Sequence, residues 1–286
     1  REFLAELERQ GVTPRKVPVG ILDGAYDPTN FPERGLVSPA LATCLAGDTP
    51  ARCGLDPAHV ATAEDNAKWE SQFGKGGKYE GQRIPPPNSH GSAVANVMLG
   101  PPPASMSDRG ELIRIAAAFD EKAYAKGLDG FLNAPDPRPQ VINMSMMVPE
   151  VNAEGFRVLS FMPETTVVTA ASNEFPDPID KAKSDSDAII VGALAPDGQS
   201  AIYSKEGPAV TISAPSNFDL KVRRPKGSYQ TFGGTSAATP MVAGAITNLK
   251  SLLPGINNRE IRHLLQRTAI PTTGTVARPG LNGPGS

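Results

Sequence analysis

Apolar positions in this chain gather into short runs separated by stretches in which they recur at helical spacing. The runs Val17 to Asp23, Leu112 to Ala117, Val141 to Met144, Thr166 to Ala171 and Ala188 to Val191 are dense in valine, isoleucine, alanine and threonine. Bounded by polar or proline-containing segments and too short for helices, they predict buried strands. Residues 2–10, Asp120 to Asn133, Asn152 to Met162 and Asn258 to Thr268 predict helices, as do the small-residue segments that follow His90 and Ser236. Strands alternating with helices predict an α/β fold: a doubly wound, mostly parallel sheet with right-handed crossovers and helices on both faces. A long polar insertion at about 26–87 interrupts an otherwise continuous pattern, no internal repeat is present, and residues 1–286 read as one domain.

Composition narrows the function classes. A chain of 286 residues, 39% hydrophobic and 20% charged, can bury one large core. A net charge of -2 leaves no cationic excess to neutralise phosphates, which argues against a nucleic-acid partner. No apolar stretch is long enough to cross a bilayer. No signal peptide is visible, and the chain begins at Arg1 without methionine, as a processed or trimmed form would. The two cysteines, Cys44 and Cys53, both lie in the insertion. Their short separation permits a small disulfide loop, contributing about 2–3 kcal/mol and pointing to an oxidising compartment; two free thiols are the alternative. Without a nearby histidine and acid cluster they do not suggest structural zinc.

The chemistry is concentrated in Gly233-Gly234-Thr235-Ser236-Ala237-Ala238-Thr239-Pro240, which runs into Met241-Val242-Ala243-Gly244. A hydroxyl between a glycine-rich turn and an apolar helix sits where unpaired N–H groups favour negative charge, as a nucleophile and its oxyanion require. An ordinary helix N-cap is the competing reading. A nucleophile needs a base, and the chain has three histidines. His263 falls in an amphipathic helical pattern and reads as a partly exposed helix residue, while His59 belongs to a proline-punctuated polar stretch and reads as a surface loop residue. His90, in Asn88-Ser89-His90-Gly91-Ser92-Ala93 after Pro85-Pro86-Pro87, stands at the mouth of a small-residue helix where an imidazole is free to point at a site. Helix capping or simple packing is the alternative. Asp23 ends the first apolar run, at the carboxyl end of a strand where α/β sheets collect ligands, although strand-ending aspartates also begin ordinary turns.

Asp23, His90 and Ser236, in that order, resemble the triad of the subtilisin-like serine proteases. The segment Gly234-Thr235-Ser236-Ala237-Ala238-Thr239-Pro240-Met241-Val242-Ala243-Gly244 is similar to that family's Gly-Thr-Ser-Met-Ala-Ala-Pro-His-Val-Ala-Gly. Val141-Ile142-Asn143-Met144-Ser145 resembles the strand bordering its substrate cleft, and Thr169-Ala170-Ala171-Ser172-Asn173-Glu174 the segment carrying its oxyanion-hole asparagine. Val191-Gly192-Ala193, Tyr203-Ser204 and Ser213-Ala214-Pro215 follow in family order, so the likeness covers roughly residues 17–283. It implies a subtilisin-like fold and a serine endopeptidase acting on protein or peptide substrates. Asp23, His90 and Ser236 would form the triad, and Asn173 would serve as oxyanion donor. It further implies a secreted or periplasmic enzyme made with an inhibitory pro-segment, needing no cofactor for its chemistry. Family members often bind structural calcium; Asp27, Asp48, Asp56, Asp65 and Asp177 lie in loop-like stretches, but none matches a calcium motif residue by residue.

Departures from the family pattern bear on the cleft rather than the reacting groups. Gly24-Ala25 follows the acid, Ala93 replaces a second histidine, Ser172 replaces a glycine, and Ser145-Met146-Met147 is bulkier than usual. These motivate an alternative, a catalytically silent subtilisin-like binding module. The charge run from Asp177 to Lys183 reads as a solvated face.

Overall fold

The computed structural model describes residues 6, 9–23, 43–44, 87–100, 106–117, 128, 130–131, 137–145, 159, 162–179, 181–216, 220–223 and 229–271. Strands β1 (Val17–Asp23), β2 (Thr43–Cys44), β3 (Gly110–Ala117), β4 (Val141–Met144), β5 (Thr166–Ala170), β6 (Ile189–Leu194) and β7 (Ile212–Pro215) form one sheet, ordered β2-β3-β1-β4-β5-β6-β7. Every pairing in it is parallel. After β3 the chain crosses to the other side of β1 to lay down β4, so the order switches around β1. Crevices outside the carboxyl ends of strands at such a switch are where α/β sheets bind ligands. An antiparallel hairpin, β8 (Leu220–Arg223) and β9 (Tyr229–Phe232), leads from the sheet into the glycine-rich turn.

Apolar alternation along β1 explains its central place. Val17, Val19 and Ile21 enter one core cluster with Val94, Val97 and Met98 of α1 (Pro87–Leu99) and Val242 and Ile246 of α3 (Thr235–Leu252). Gly20 faces the other way, where a Cβ would stand 3.3 Å from Pro139 and 3.4 Å from the ring of Phe131, a helical residue. The sheet is therefore covered on both faces, as the alternating pattern predicts. Helix α1 starts at a proline, which suits the first helical position, and is buried from His90 to Leu99.

Five of the sheet strands fall on the predicted apolar runs. Strand β2 does not: it comes from the insertion, where Thr43 and Cys44 pair with Arg114 and Ile115 of β3. Strand β7 and the hairpin are too short and too polar to announce themselves by period. Glu6 and Arg9, and Leu128, Gly130 and Phe131, are helical as expected. The rest of the helices expected at 2–10, 120–133 and 152–162 lies outside the described residues, apart from Gln10, in a turn, Leu159, in a 3₁₀ turn, and Met162. A short helix not foreseen, α2 (Lys181–Ser184), precedes β6.

Helix α4 (Asn258–Thr268) takes its bounds from a capping box: Asn257 accepts from the N–H groups of Arg259 and Glu260, and Glu260 accepts from the Asn257 N–H. His263 is exposed on it. Asn258 accepts from the Thr166 hydroxyl at 2.5 Å and donates to the Thr165 carbonyl at 2.7 Å, while Arg262 donates to the Ala188 carbonyl at 2.7 Å. These contacts fasten α4 to the amino ends of β5 and β6 and leave the carboxyl ends to other elements.

Near that amino-terminal end, Lys250 of α3 is buried, and its ammonium donates to the carbonyls of Glu164 at 3.0 Å and Ile256 at 3.3 Å. Burial, reinforced by the nearby Arg15 charge and opposed by Glu164, pushes its pKa down from 10.5 to about 8. Between those values the unfolded chain binds more protons than the folded one, so this group's contribution to stability rises with pH. Neutral lysine still has two N–H donors for the two carbonyls. Urea unfolding of the protein with and without Lys250→Met should show the lysine form gaining stability relative to the methionine form between pH 7.5 and pH 9.5. A difference that does not change with pH would refute the assignment.

Candidate active site

The carboxyl ends of β1, β4 and β5 converge with the amino ends of α1 and α3. Asp23, the last residue of β1, is fully buried, and its Oδ1 lies 2.5 Å from His90 Nδ1 in the first turn of α1. A carboxylate can only accept, so Nδ1 carries the proton and Nε2 is left as the acceptor nitrogen of the neutral ring. His90 is 6% exposed, and its ring meets Phe232 edge-on, centroids 5.4 Å apart at 80°. Phe232 ends β9, so the hairpin packs the imidazole from the side that the glycine turn then enters.

Gly234, at φ 73° and ψ -177°, is the N-cap of α3, a left-handed angle that glycine accepts without strain. Ser236 is thus the second residue inside the helix. This corrects the N-cap reading of the serine: the cap position belongs to a residue with no side chain. Ser236 lies in the turn whose N–H groups lack intrahelical acceptors. Its hydroxyl is half-buried and donates to the Ser145 carbonyl, just past β4, at 2.8 Å. Among the described residues no hydrogen bond joins His90 to Ser236.

Asn173 follows β5. Its side-chain oxygen accepts from both the N–H and the hydroxyl of Thr235, each at 2.9 Å. A main-chain N–H can only donate, which fixes the orientation of the amide: Oδ1 faces the helix and the NH₂ group faces outward. Asn173 is exposed, so those two donors are presented at the surface of the site. The residue before it, Ser172, has a φ of 107° although it is not glycine.

Sequence reasoning singled out Asp23, His90, Ser236 and Asn173, and the fold brings them to one end of the sheet. It missed the Ser145 carbonyl, a main-chain acceptor that carries no residue-type signal, and the part played by Thr235, whose N–H and hydroxyl donate to an asparagine 62 residues away in the chain. It also misjudged part of the charge run: Asp177 and Lys181 are exposed, but Lys183 is buried, its ammonium 2.9 Å from the Ala170 carbonyl. His59, Cys53, Asp27, Asp48, Asp56 and Asp65 lie outside the described residues, and so does the side chain of Cys44. Among the described residues no cluster of three or more His, Cys, Asp or Glu could hold a metal ion, and Asp177 stands without such company. No described helix is long and apolar enough to cross a membrane.

The subtilase family model matches residues 15–284. The chain belongs to the subtilase family. Subtilisin Savinase of Lederbergia lenta is 27% identical over 193 residues, covering 64% of this chain and 70% of that protein. A thermostable alkaline protease of Halalkalibacterium halodurans is 37% identical over 84 residues, 29% of this chain and 23% of that protein. The solved structure of the patellamide maturation protease PatG has a TM-score of 0.69 at 20% identity, covering 94% of this chain and 87% of that one, a likeness of fold. As a subtilase the chain is a serine endopeptidase, and its family's chemistry needs no cofactor.

Among the described residues the candidate site contains one non-glycine residue with positive φ, Ser172. A non-glycine residue at a φ near that of Ser172 costs on the order of 1–3 kcal/mol. Ser172→Gly should relieve it, less the roughly 0.4–1 kcal/mol of extra freedom that glycine gives the unfolded chain. Urea denaturation in the Ser236→Ala background should show a net stabilisation of about 1 kcal/mol; a destabilised variant would mean that the serine side chain is worth more than its strain.

Proposed function

We propose that this subtilase hydrolyses peptide bonds through Asp23, His90 and Ser236, with Asn173 and the Ser236 N–H as oxyanion donors. The observation that carries the reading is the buried 2.5 Å contact between Asp23 and His90 Nδ1. It fixes the tautomer in which Nε2 takes a proton. On substrate binding the Ser236 hydroxyl turns from the Ser145 carbonyl to Nε2, a contact that often forms only in the Michaelis complex. His90 accepts the hydroxyl proton as the oxygen attacks the scissile carbonyl, and Asp23 stabilises the resulting imidazolium. The oxyanion is received by the outward NH₂ of Asn173 and by the first turn of α3, donors already aimed before charge develops. His90 then protonates the leaving amine, and the same steps with water release the acyl group.

The remaining parts of the reading rest on family likeness and, for the cysteines and the exclusion of nucleic acid, on cysteine spacing and net charge. Residues 1–286 act as one catalytic domain that includes the insertion at about 26–87. The enzyme works outside the cytoplasm, where Cys44 and Cys53 are bridged, and is held inactive until an inhibitory pro-segment is removed. Its partners are protein or peptide substrates and not nucleic acid.

A fluorophosphonate probe should label the wild-type protein and leave Ser236→Ala unlabelled. Peptide turnover should be unmeasurable in Ser236→Ala and His90→Ala. Asn173→Ala should retain a remnant reduced by about a hundred- to a thousandfold, the range established for the oxyanion-hole asparagine of a subtilisin. Robust cleavage by Ser236→Ala, or folded wild-type protein that takes no label, would overturn the proposal; the latter would favour a silent binding module.

A further inference from the structure

Lys205 is 7% exposed, and nothing in the triad chemistry uses it. Its surroundings are specific. Its N–H donates to the Ser172 carbonyl at 3.1 Å, and its ammonium donates to the Pro178 carbonyl at 3.1 Å and lies 3.8 Å from the Glu174 carboxylate. One residue therefore holds three points of the segment that carries Asn173: the residue before it, the residue after it, and the far end of the turn. The neighbouring Tyr203 carbonyl accepts from the Phe175 N–H at 3.3 Å, adding a fourth point.

The same short stretch is tied in two other directions. Ser204 joins it to the sheet, accepting from the Ala193 N–H of β6 at 3.0 Å and donating to the Lys205 carbonyl at 3.2 Å. Tyr203 reaches the nucleophile's turn: its hydroxyl donates to the Ser216 carbonyl at 2.5 Å, and the Ser216 hydroxyl donates to the carbonyl of Gly234, the N-cap of α3, at 2.7 Å. Residues 203–205 form a strut whose ends hold the two sources of oxyanion donors.

Strain explains why a strut is needed. Ser172 stands at a backbone angle that persists only where surrounding contacts over-determine it, and Asn173 itself is exposed. An exposed donor on a strained turn loses its aim with a shift of about 1 Å, which can cost about a hundredfold in rate. A buried ammonium is suited to the task because its charge strengthens the hydrogen bond to the Pro178 carbonyl and attracts the Glu174 carboxylate 3.8 Å away.

We propose that Lys205 is a positioning residue for catalysis, its ammonium setting the aim of the Asn173 amide by holding Glu174 and Pro178 while its main-chain N–H holds Ser172. The proposal rests on the reading of Asn173 as an oxyanion donor. Lys205→Met should lower kcat by about tenfold or more while KM stays within about twofold, since the misplaced donor matters only when charge develops. Affinity for a peptide boronic acid, which forms a tetrahedral adduct on Ser236, should fall by the same factor. In an Asn173→Ala background Lys205→Met should then lower kcat by less than about twofold, because there is no amide left to aim. Lys205→Gln, which keeps N–H donors without the charge, should fall between wild type and Lys205→Met.

Equal losses from Lys205→Met with and without Asn173 would show a general structural role and overturn the proposal, as would an unchanged kcat. Failure of both Lys205 variants to fold would place the residue in the core's stability and overturn it equally. If Asn173→Ala alone left kcat intact, the assignment of Asn173 would fall first, and the two failures are thereby told apart.

Discussion

A carboxylate taken wholly out of water must be compensated, and the contact between Asp23 and His90 is the constraint around which this site is arranged. Leaving such a charge unpaired costs on the order of 3–5 kcal/mol. Asp23 is fully buried because β1 is flanked by strands on both sides and covered on both faces. His90 must therefore arrive at the end of a central strand, and it does so from a helix that starts at a proline and is buried from His90 to Leu99. The approach of α1 to α3 is close at Gly244, where a Cβ would stand 3.1 Å from the Met98 carbonyl, while Val94, Val97 and Met98 fill the core. Packing thus delivers an imidazole in a fixed tautomer.

A second requirement is met by backbone conformation. Ser236 and Asn173 sit on separate turns, and each turn contains a residue with positive φ: Gly234 before the serine and Ser172 before the asparagine. The first is unstrained and the second is not. The two turns are joined directly, Asn173 to Thr235, and indirectly through Tyr203 and Ser216. The proposed oxyanion donors would be useful only if they cost no reorganisation when charge appears, and these contacts tie the two turns that carry them to one another.

What could be read from the sequence was what is local. The runs that became β1, β3, β4, β5 and β6 are apolar enough to show themselves, and the bounds of α4 are set by side chains within its own first turn. Asp23, His90, Ser236 and Asn173 each stand in short segments whose neighbours announce a strand end or a helix mouth. Long-range determinants were hidden. Thr43 and Cys44 become a strand only by pairing with β3, some seventy residues later. Lys183 and Lys205 look like surface charges until carbonyls of a distant segment supply their hydrogen bonds. The serine's place inside α3, rather than at its cap, depends on an angle at Gly234 that its identity allows but does not dictate.

The short outer strands have a consequence for life among unfolded chains. Any sheet with an open border offers unpaired N–H and C=O groups to extended polypeptide, and a protease meets extended polypeptide as its daily substrate. Among the described residues the outermost strands of this sheet are β2, of two residues, and β7, whose last residue is Pro215 and lacks an N–H to donate. Among the described residues neither outer strand offers a long ladder to a passing chain. Outer strands this short leave extended polypeptide little to pair with outside the cleft.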